Sequence, residues 1–251
     1  MKPIFIKSIA VCCPDADLLA QLQISGSAID KALIPAGMRR RTSMTTRMAI
    51  TAATQACQQA AVDTATLPSV FASLGGEIQV TDALCRLLPD DDALLSPTQF
   101  HNSVHNTTAG YWSILNKCQA ATTAIAAADD TFAMGLLEMC SQMQLQEGDG
   151  LLVCYDELWP QYLAAPIGKV AFACAFVLSS DAEHALASVT LPQVANDLTV
   201  MSPECIELVQ SAPATAVLPL LRTLQSKTSA NNIPLNINSP IWMTSIESKR
   251  D

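Results

Sequence analysis

The amino-acid sequence predicts a layered α/β domain built on a largely buried sheet. Two observations carry that prediction. Segments 69–74, 151–157 and 169–180 are short, continuously apolar and bounded by Pro, Gly or polar turns, while 3–13 alternates and is rich in β-branched residues. Continuous apolar runs of this length suit strands covered on both faces. Between them lie segments of helical period, 44–62 and 129–146, and such alternation packs helices over a sheet.

Taken in order, "PIFIKSIAVCC" (3–13) is the first strand, and Pro14 begins a polar loop. "MTTRMAITAATQACQQAAV" (44–62) places Met48, Ala52 and Ala56 on one stripe, small enough for close packing. "SVFASL" (69–74) is a buried strand ended by Gly75-Gly76, and "EIQVTDALCRLL" (77–88) is a helix stopped by Pro89. A polar stretch leads into "FHNSVHNTTAGYWSILN" (100–116), where Ser103 is expected to cap a helix running to about Leu115. "AATTAIAA" (120–127) is a strand candidate. The helix at 129–146 starts with Asp129 and Asp130 at its positive end, as the dipole favours. After the strand at 151–157 comes a Pro-punctuated excursion, then the strand at 169–180. Beyond 181 the pattern weakens: "HALASVTLPQV" is a short strand, 213–227 is helical despite Pro219, and 231–251 is loop-like. There is no fixed-period repeat.

Composition narrows the function classes. The chain has 251 residues, half of them hydrophobic, and a net charge of −9. Such a surface is repelled by nucleic acid and by anionic membrane. The short "MRRR" at 38–41 is the local exception, and with Arg47 it could pair with carboxylates of a partner. No apolar run reaches the roughly 18 residues of a membrane span, and the first twenty residues lack a signal-peptide core. The nine cysteines are odd in number, scattered through apolar segments and without a CxxC pair. They fit free thiols in a reducing compartment rather than a disulfide framework or a zinc site. A cytoplasmic protein is expected, with no nucleic-acid partner, no membrane span, no metal and no cofactor.

His101 and His105, at i and i+4, would share one helix face. A zinc HExxH motif needs Glu where Asn102 stands, and no third ligand lies at a sensible spacing. Packed or hydrogen-bonded histidines at a helix start are the simpler reading. "SLGGE" (73–77) is a strand-to-turn junction without dinucleotide or P-loop spacing. "CYDELWP" (154–160) puts two carboxylates at a strand end, a frequent place for function in α/β sheets, although a solvated loop is expected. There is no GxSxG elbow. The residues by themselves define an α/β domain without a convincing catalytic constellation.

Five stretches together resemble a known family: "RRRTSMTTRMAITAATQA" (39–56), "SLGGEIQVTDALCRLL" (73–88), "LSPTQFHNSVHNTTAGYWSI" (95–114), "DDTFAMGLLE" (129–138) and "CYDE" (154–157). The third is the most specific. The sequence resembles the N-terminal half of the β-ketoacyl synthases, and more narrowly the short chain length factors of aryl polyene gene clusters. The resemblance spans about 1–180 and fades beyond. It implies a thiolase-like half, a βαβαβαββ unit with a mixed five-stranded sheet covered by helices, over 1–180. Residues 181–251 would be a truncated, irregular C-terminal extension.

Ketosynthases carry a nucleophilic Cys in the turn between the strand and helix that follow the "AGYWSI" helix. No Cys occurs from 119 to 139, and Ile125 falls near the lost position. The two catalytic histidines of ketosynthases belong to a second half for which this chain has little room. The resemblance therefore implies a noncatalytic subunit, paired in a heterodimer or higher heteromer with a catalytic β-ketoacyl-ACP synthase. It would shape the acyl tunnel during aryl polyene or fatty-acid-like elongation, and acyl carrier protein would act on it only indirectly. His105, Thr108, Tyr111, Trp112, Leu115 and Phe132 are the expected partner-interface or tunnel-gate residues. Two other readings stay open: a stand-alone acyl hydrolase or acyltransferase using Ser103 or Cys118 with His105 as base, and an adaptor without a tunnel role.

Overall fold

In the computed structural model, which describes residues 2–160, 162, 170–195 and 201–249, the apolar runs become strands of one mixed sheet. The chain order is β1 (Ile4–Cys12), α1 (Ala16–Leu22), α2 (Ala36–Arg39), α3 (Met44–Ala60), β2 (Ser69–Ala72), α4 (Ile78–Cys85), α5 (Pro97–Asn102), α6 (Thr107–Asn116), β3 (Thr122–Ile125), α7 (Thr131–Leu145), β4 (Asp149–Asp156) and β5 (Phe172–Ser179). These five strands lie side by side as β3-β2-β4-β5-β1. β2 is parallel to β3 and β4, and β5 is antiparallel to β4 and β1. This is the expected mixed five-stranded sheet. Lys169, expected at the start of the last strand, and most of the Pro-punctuated excursion before it lie outside the described residues.

Two segments differ from expectation. The polar loop after Pro14 contains α1, begun by Asp15, whose side chain accepts from the Leu18 amide at 3.0 Å. Past residue 180 the expected irregular extension is mostly regular: β6 (Ala187–Val189), β7 (Gln193–Val194), α8 (Pro203–Ser211), a 3-10 turn at Pro213–Val217, α9 (Leu218–Gln225), β8 (Ala230–Pro234) and β9 (Trp242–Ser248). β6 pairs with the free side of β1, and β9 pairs with β6, β7 and β8. The stretch 231–251, expected to be loop-like, supplies most of the β8–β9 hairpin. Its pattern is weak because β9 interleaves Thr, Ser and Glu, with Met243 and Ile246 as its deep apolar contacts.

The sheet is covered on both faces, and the pleat divides each strand between them. Phe71, Leu151, Val153 and Tyr155 face α3 and α6, where Met48, Ala52, Ala56 and Trp112 meet them. Val70, Ala72, Leu152 and Cys154 face the other way, against Phe132, Leu136 and Met139 of α7 and Val217, Leu220 and Leu221 beyond it. Each large side chain fully buried contributes about 1.5–3 kcal/mol. The Met48–Ala52–Ala56 stripe lets α3 lie close on the sheet, as its small residues predict. α7 achieves the same approach with Gly135: a Cβ there would stand 2.7 Å from the Ala72 Cβ and 3.3 Å from Leu152 Cδ1.

Gly135→Ala is therefore expected to destabilise the fold by about 1–3 kcal/mol, despite the higher helix propensity of Ala. Chemical denaturation of the variant against the parent chain measures it.

Candidate functional site

The histidine stretch does not form one helix. α5 ends at Asn102, and α6 begins at Thr107, so a turn separates His101 from His105. Ser103 closes α5 and donates to the Phe100 carbonyl at 2.9 Å; it does not cap α6, whose preceding residue is Asn106. Asn102 explains the break. It is buried, its amide donates to the Arg41 carbonyl, and its Oδ1 accepts from the Tyr111 hydroxyl at 3.0 Å. His101 stacks edge-on against Tyr111, with ring centroids 6.2 Å apart. The His105 ring Nε2 donates to the Ser73 carbonyl at 2.8 Å. It thereby ties the start of α6 to the Gly75-Gly76 turn, where Gly76 takes a left-handed φ of 55° against the imidazole.

That turn borders a buried polar junction at the carboxyl ends of β2 and β4. Glu77, Asp156 and Glu157 are 1%, 1% and 4% exposed. The expectation of a solvated loop at "CYDELWP" thus fails for both of its acids. Each acid serves the start of a neighbouring helical element. Glu157 accepts from the Gln79 amide in the first turn of α4 at 3.0 Å and from the Thr45 hydroxyl of α3. Asp156 accepts from the Leu74 amide at 2.9 Å, the Ser73 hydroxyl at 3.1 Å and the Ala214 amide at 2.7 Å. One carboxylate thus binds the β2 turn to the C-terminal segment. Glu77 Oε1 meets the hydroxyls of Ser43 at 2.8 Å, Thr46, and Thr108 at 3.4 Å. Burial pushes all three acids upward, Asp156 to about 6 and Glu157 to about 7. Burial likewise raises the Tyr155 phenol beside them.

A second feature stands at the end of β3. Ile125 closes the strand, and three residues later Ala128 adopts φ 47°, just before α7 starts at Thr131. A left-handed alanine is strained by about 1 kcal/mol and must be held by its surroundings. Thr131 does so: its hydroxyl donates to the Ala128 carbonyl at 2.6 Å and accepts from the Ala127 amide at 3.1 Å. Asp129 and Asp130 make no cap bond to α7. They accept instead from Asn238 and Asn236 of the β8–β9 loop, the latter at 2.6 Å. A sharp, strained strand-to-helix turn is the geometry that presents a nucleophile at the top of a sheet. Here the left-handed residue is Ala128, three residues after Ile125.

The expected gate residues fall into two groups. Thr108, Tyr111 and Trp112 are buried on α6, where Trp112 packs on Phe71 at 6.4 Å, and Leu115 is partly buried beside Ile34 and Ile50. His105 precedes them. Phe132 is on the opposite face of the sheet, 6.3 Å from Phe176, so the structure does not bring it to the α6 group. The pairing of Ser103 or Cys118 with His105 is not formed. Both Ser103 Oγ and His105 Nε2 are committed to carbonyls, and Cys118 lies beyond the far end of a ten-residue helix, roughly 15 Å away along its axis. In the arginine cluster, Arg39 and Arg47 turn their guanidinium groups to backbone carbonyls.

The β3-β2-β4-β5-β1 sheet, its covering helices and the elbow after β3 define a thiolase-like ketosynthase half. Residues 17–243 match the family described as beta-ketoacyl synthase, N-terminal domain, and the chain belongs to that family. No curated protein matches the chain. Solved structures of the same fold include a ketosynthase in complex with its chain length factor from Xenorhabdus doucetiae, 20% identical over 97% of this chain and 99% of that one, with a TM-score of 0.71. The ishigamide ketosynthase/chain length factor is 14% identical over 89% of this chain and 73% of that one, with a TM-score of 0.59. A type II polyketide synthase acyl carrier protein in complex with its ketosynthase bound to the hexaketide matches at 12% identity over 99% of each chain, with a TM-score of 0.72.

Asp156→Ala is expected to cost about 3 kcal/mol or more, because it strands two amides and a hydroxyl in the interior. Denaturant unfolding measures that loss, and hydrogen exchange at Leu74 and Ala214 locates it.

Proposed function

We propose that this chain is the noncatalytic chain length factor subunit of a ketosynthase pair, acting in the cytoplasm in aryl polyene or related acyl-chain elongation. The observation that carries this reading is the absence of any cysteine across β3, the turn after it and the first turns of α7. Acyl transfer through this fold needs a thiolate at the start of the helix, where the dipole lowers its pKa. No cysteine occurs from 119 to 139. The nearby Cys140 and Cys154 are fully buried in the core; burial raises Cys140 to about 12 and pushes Cys154 well up. Acyl loading then falls to the partner, and acyl carrier protein delivers to that partner.

The two edges of the sheet support a partner at one end. β8 and β7 lie on opposite sides of β9, since both pair with Met243. β8 is therefore an outer edge, and it is blunted by a register shift and by Pro234. β3 is the other edge; its sequence "TTAI" carries no charge, Pro or bulge, and every residue is partly buried. An edge left in that state suits pairing with another strand. Phe100, Val104 and Ile114, at 64%, 51% and 64% exposure, add apolar surface on the neighbouring α5–α6 segment. Within this reading Tyr111, Trp112 and Leu115, with His105 and Thr108, back the interface helix. Phe132 lies in the first turn after the elbow, where an acyl chain held by the partner would end. Residues 1–180 form the ketosynthase-like half, and 181–251 stand in for the reduced second half.

The carbonyls of Ala121 and Ile125 face β2, accepting from Ser69 and Ser73, so alternation turns the N–H of Ala124 outward. Ala124→Pro removes that outward donor and leaves the β2 ladder intact. Co-expressed with the ketosynthase encoded beside it, the parent chain is expected to co-purify as a stable heteromer, and the variant to lose pairing by tenfold or more, about 1.4 kcal/mol. A parent chain that purifies as a monomer and never binds a ketosynthase would overturn the proposal.

A further inference from the structure

Glu77 is the least compensated charge site in the interior. Its Oε1 is crowded by three hydroxyls, from Ser43, Thr46 and Thr108, while its Oε2 is buried and has no hydrogen-bond partner. The nearest cation is Arg47, and that guanidinium is spent on the carbonyls of Thr42 and Ser43. Every group around the acid is neutral or negative apart from it. α3 contributes Ser43, Thr45 and Thr46, and α6 contributes Thr108, with His105 ahead of it bound to the Ser73 carbonyl. The end of β4 contributes Tyr155, Asp156 and Glu157, and α4 contributes the Gln79 amide. Among the described residues none of the three acids forms an ion pair.

Hydroxyls both donate and accept. A protonated Glu77 therefore satisfies Oε1 by turning one hydroxyl to accept, and leaves Oε2 as a bare carbonyl, a tolerable loss. An ionised Glu77 would leave half of a full negative charge unsolvated, beside two further acids.

We propose that Glu77, with Asp156 and Glu157, forms a proton-loaded latch that clamps α4 and α6 onto α3 when neutral and loosens them when it ionises. The acids sit higher in the folded chain than the ordinary carboxylate range near pH 4. Stability from the latch is thus complete below that range and is lost as pH rises through about 6 for Asp156 and about 7 for Glu157. A consequence for pairing, that the α6 surface grips its partner less well in mild alkali, rests on the function proposed above. The latch itself does not.

The test is the thermal midpoint of the purified full-length chain from about pH 5 to about pH 8, on the parent, Glu77→Gln and Glu157→Gln. The parent should fall by roughly 5 °C or more over that range, and each variant should fall less and melt at least as high as the parent at the alkaline end. Infrared difference spectra should show a protonated-carboxyl carbonyl band near neutral pH that weakens in Glu77→Gln. A parent midpoint that holds level or rises with pH would overturn the latch, as would absence of that band. Variants that lose stability equally at every pH would show a merely structural role and reject it as well.

Discussion

The architecture turns on the Asp156 carboxyl at the end of β4. It accepts from the turn after β2 and from the 3-10 turn that opens the C-terminal helices. Without it, the turn after β2 and the 3-10 turn would each hold an unsatisfied amide, and the link between them would be lost. Glu157 and Glu77, one residue and one turn away, extend the same solution to α4 and α3. Buried acids are costly unless hydrogen-bonded; Asp156 and Glu157 meet amides at the starts of helical elements, whereas Glu77 meets hydroxyls alone.

This junction also fixes the ends of the neighbouring strands. The carboxyl ends of β2 and β4 are tied together by the interior hydrogen bonds of Asp156 and Glu157. At the adjoining edge, β3 pairs on one side with β2 and leads into the turn at Ala128. There Ala128 takes its left-handed conformation, braced by the Thr131 hydroxyl. On the far side, the β8–β9 loop reaches back through Asn236 and Asn238 to the elbow aspartates. The C-terminal segment is therefore built into the same sheet and onto the same turn.

Much of the fold was legible because it is written in local periodicity. The continuous apolar runs of β2, β4 and β5 and the Met48–Ala52–Ala56 stripe of α3 announce themselves residue by residue. What was hidden depends on tertiary partners. Asp156 and Glu157 look like loop carboxylates until Ala214, 58 residues away, supplies an amide. The break between α5 and α6 is set by Asn102 reaching back to Arg41 and across to Tyr111, so the helical spacing of His101 and His105 misled. β9 was missed because its partners include β6, more than fifty residues earlier, and its own residues are mostly polar. The strained turn at Ala128 left no trace in composition, since alanine rarely marks a left-handed position.

The central claim is that this chain supports acyl-chain elongation without carrying the acyl group. Intact-protein mass measurement of the co-purified complex, after incubation with an acyl-thioester substrate, tests it most directly. The account predicts an acyl adduct on the ketosynthase partner and an unchanged mass for this chain. An acyl adduct on any of its nine cysteines, formed at the rate of turnover, would contradict it.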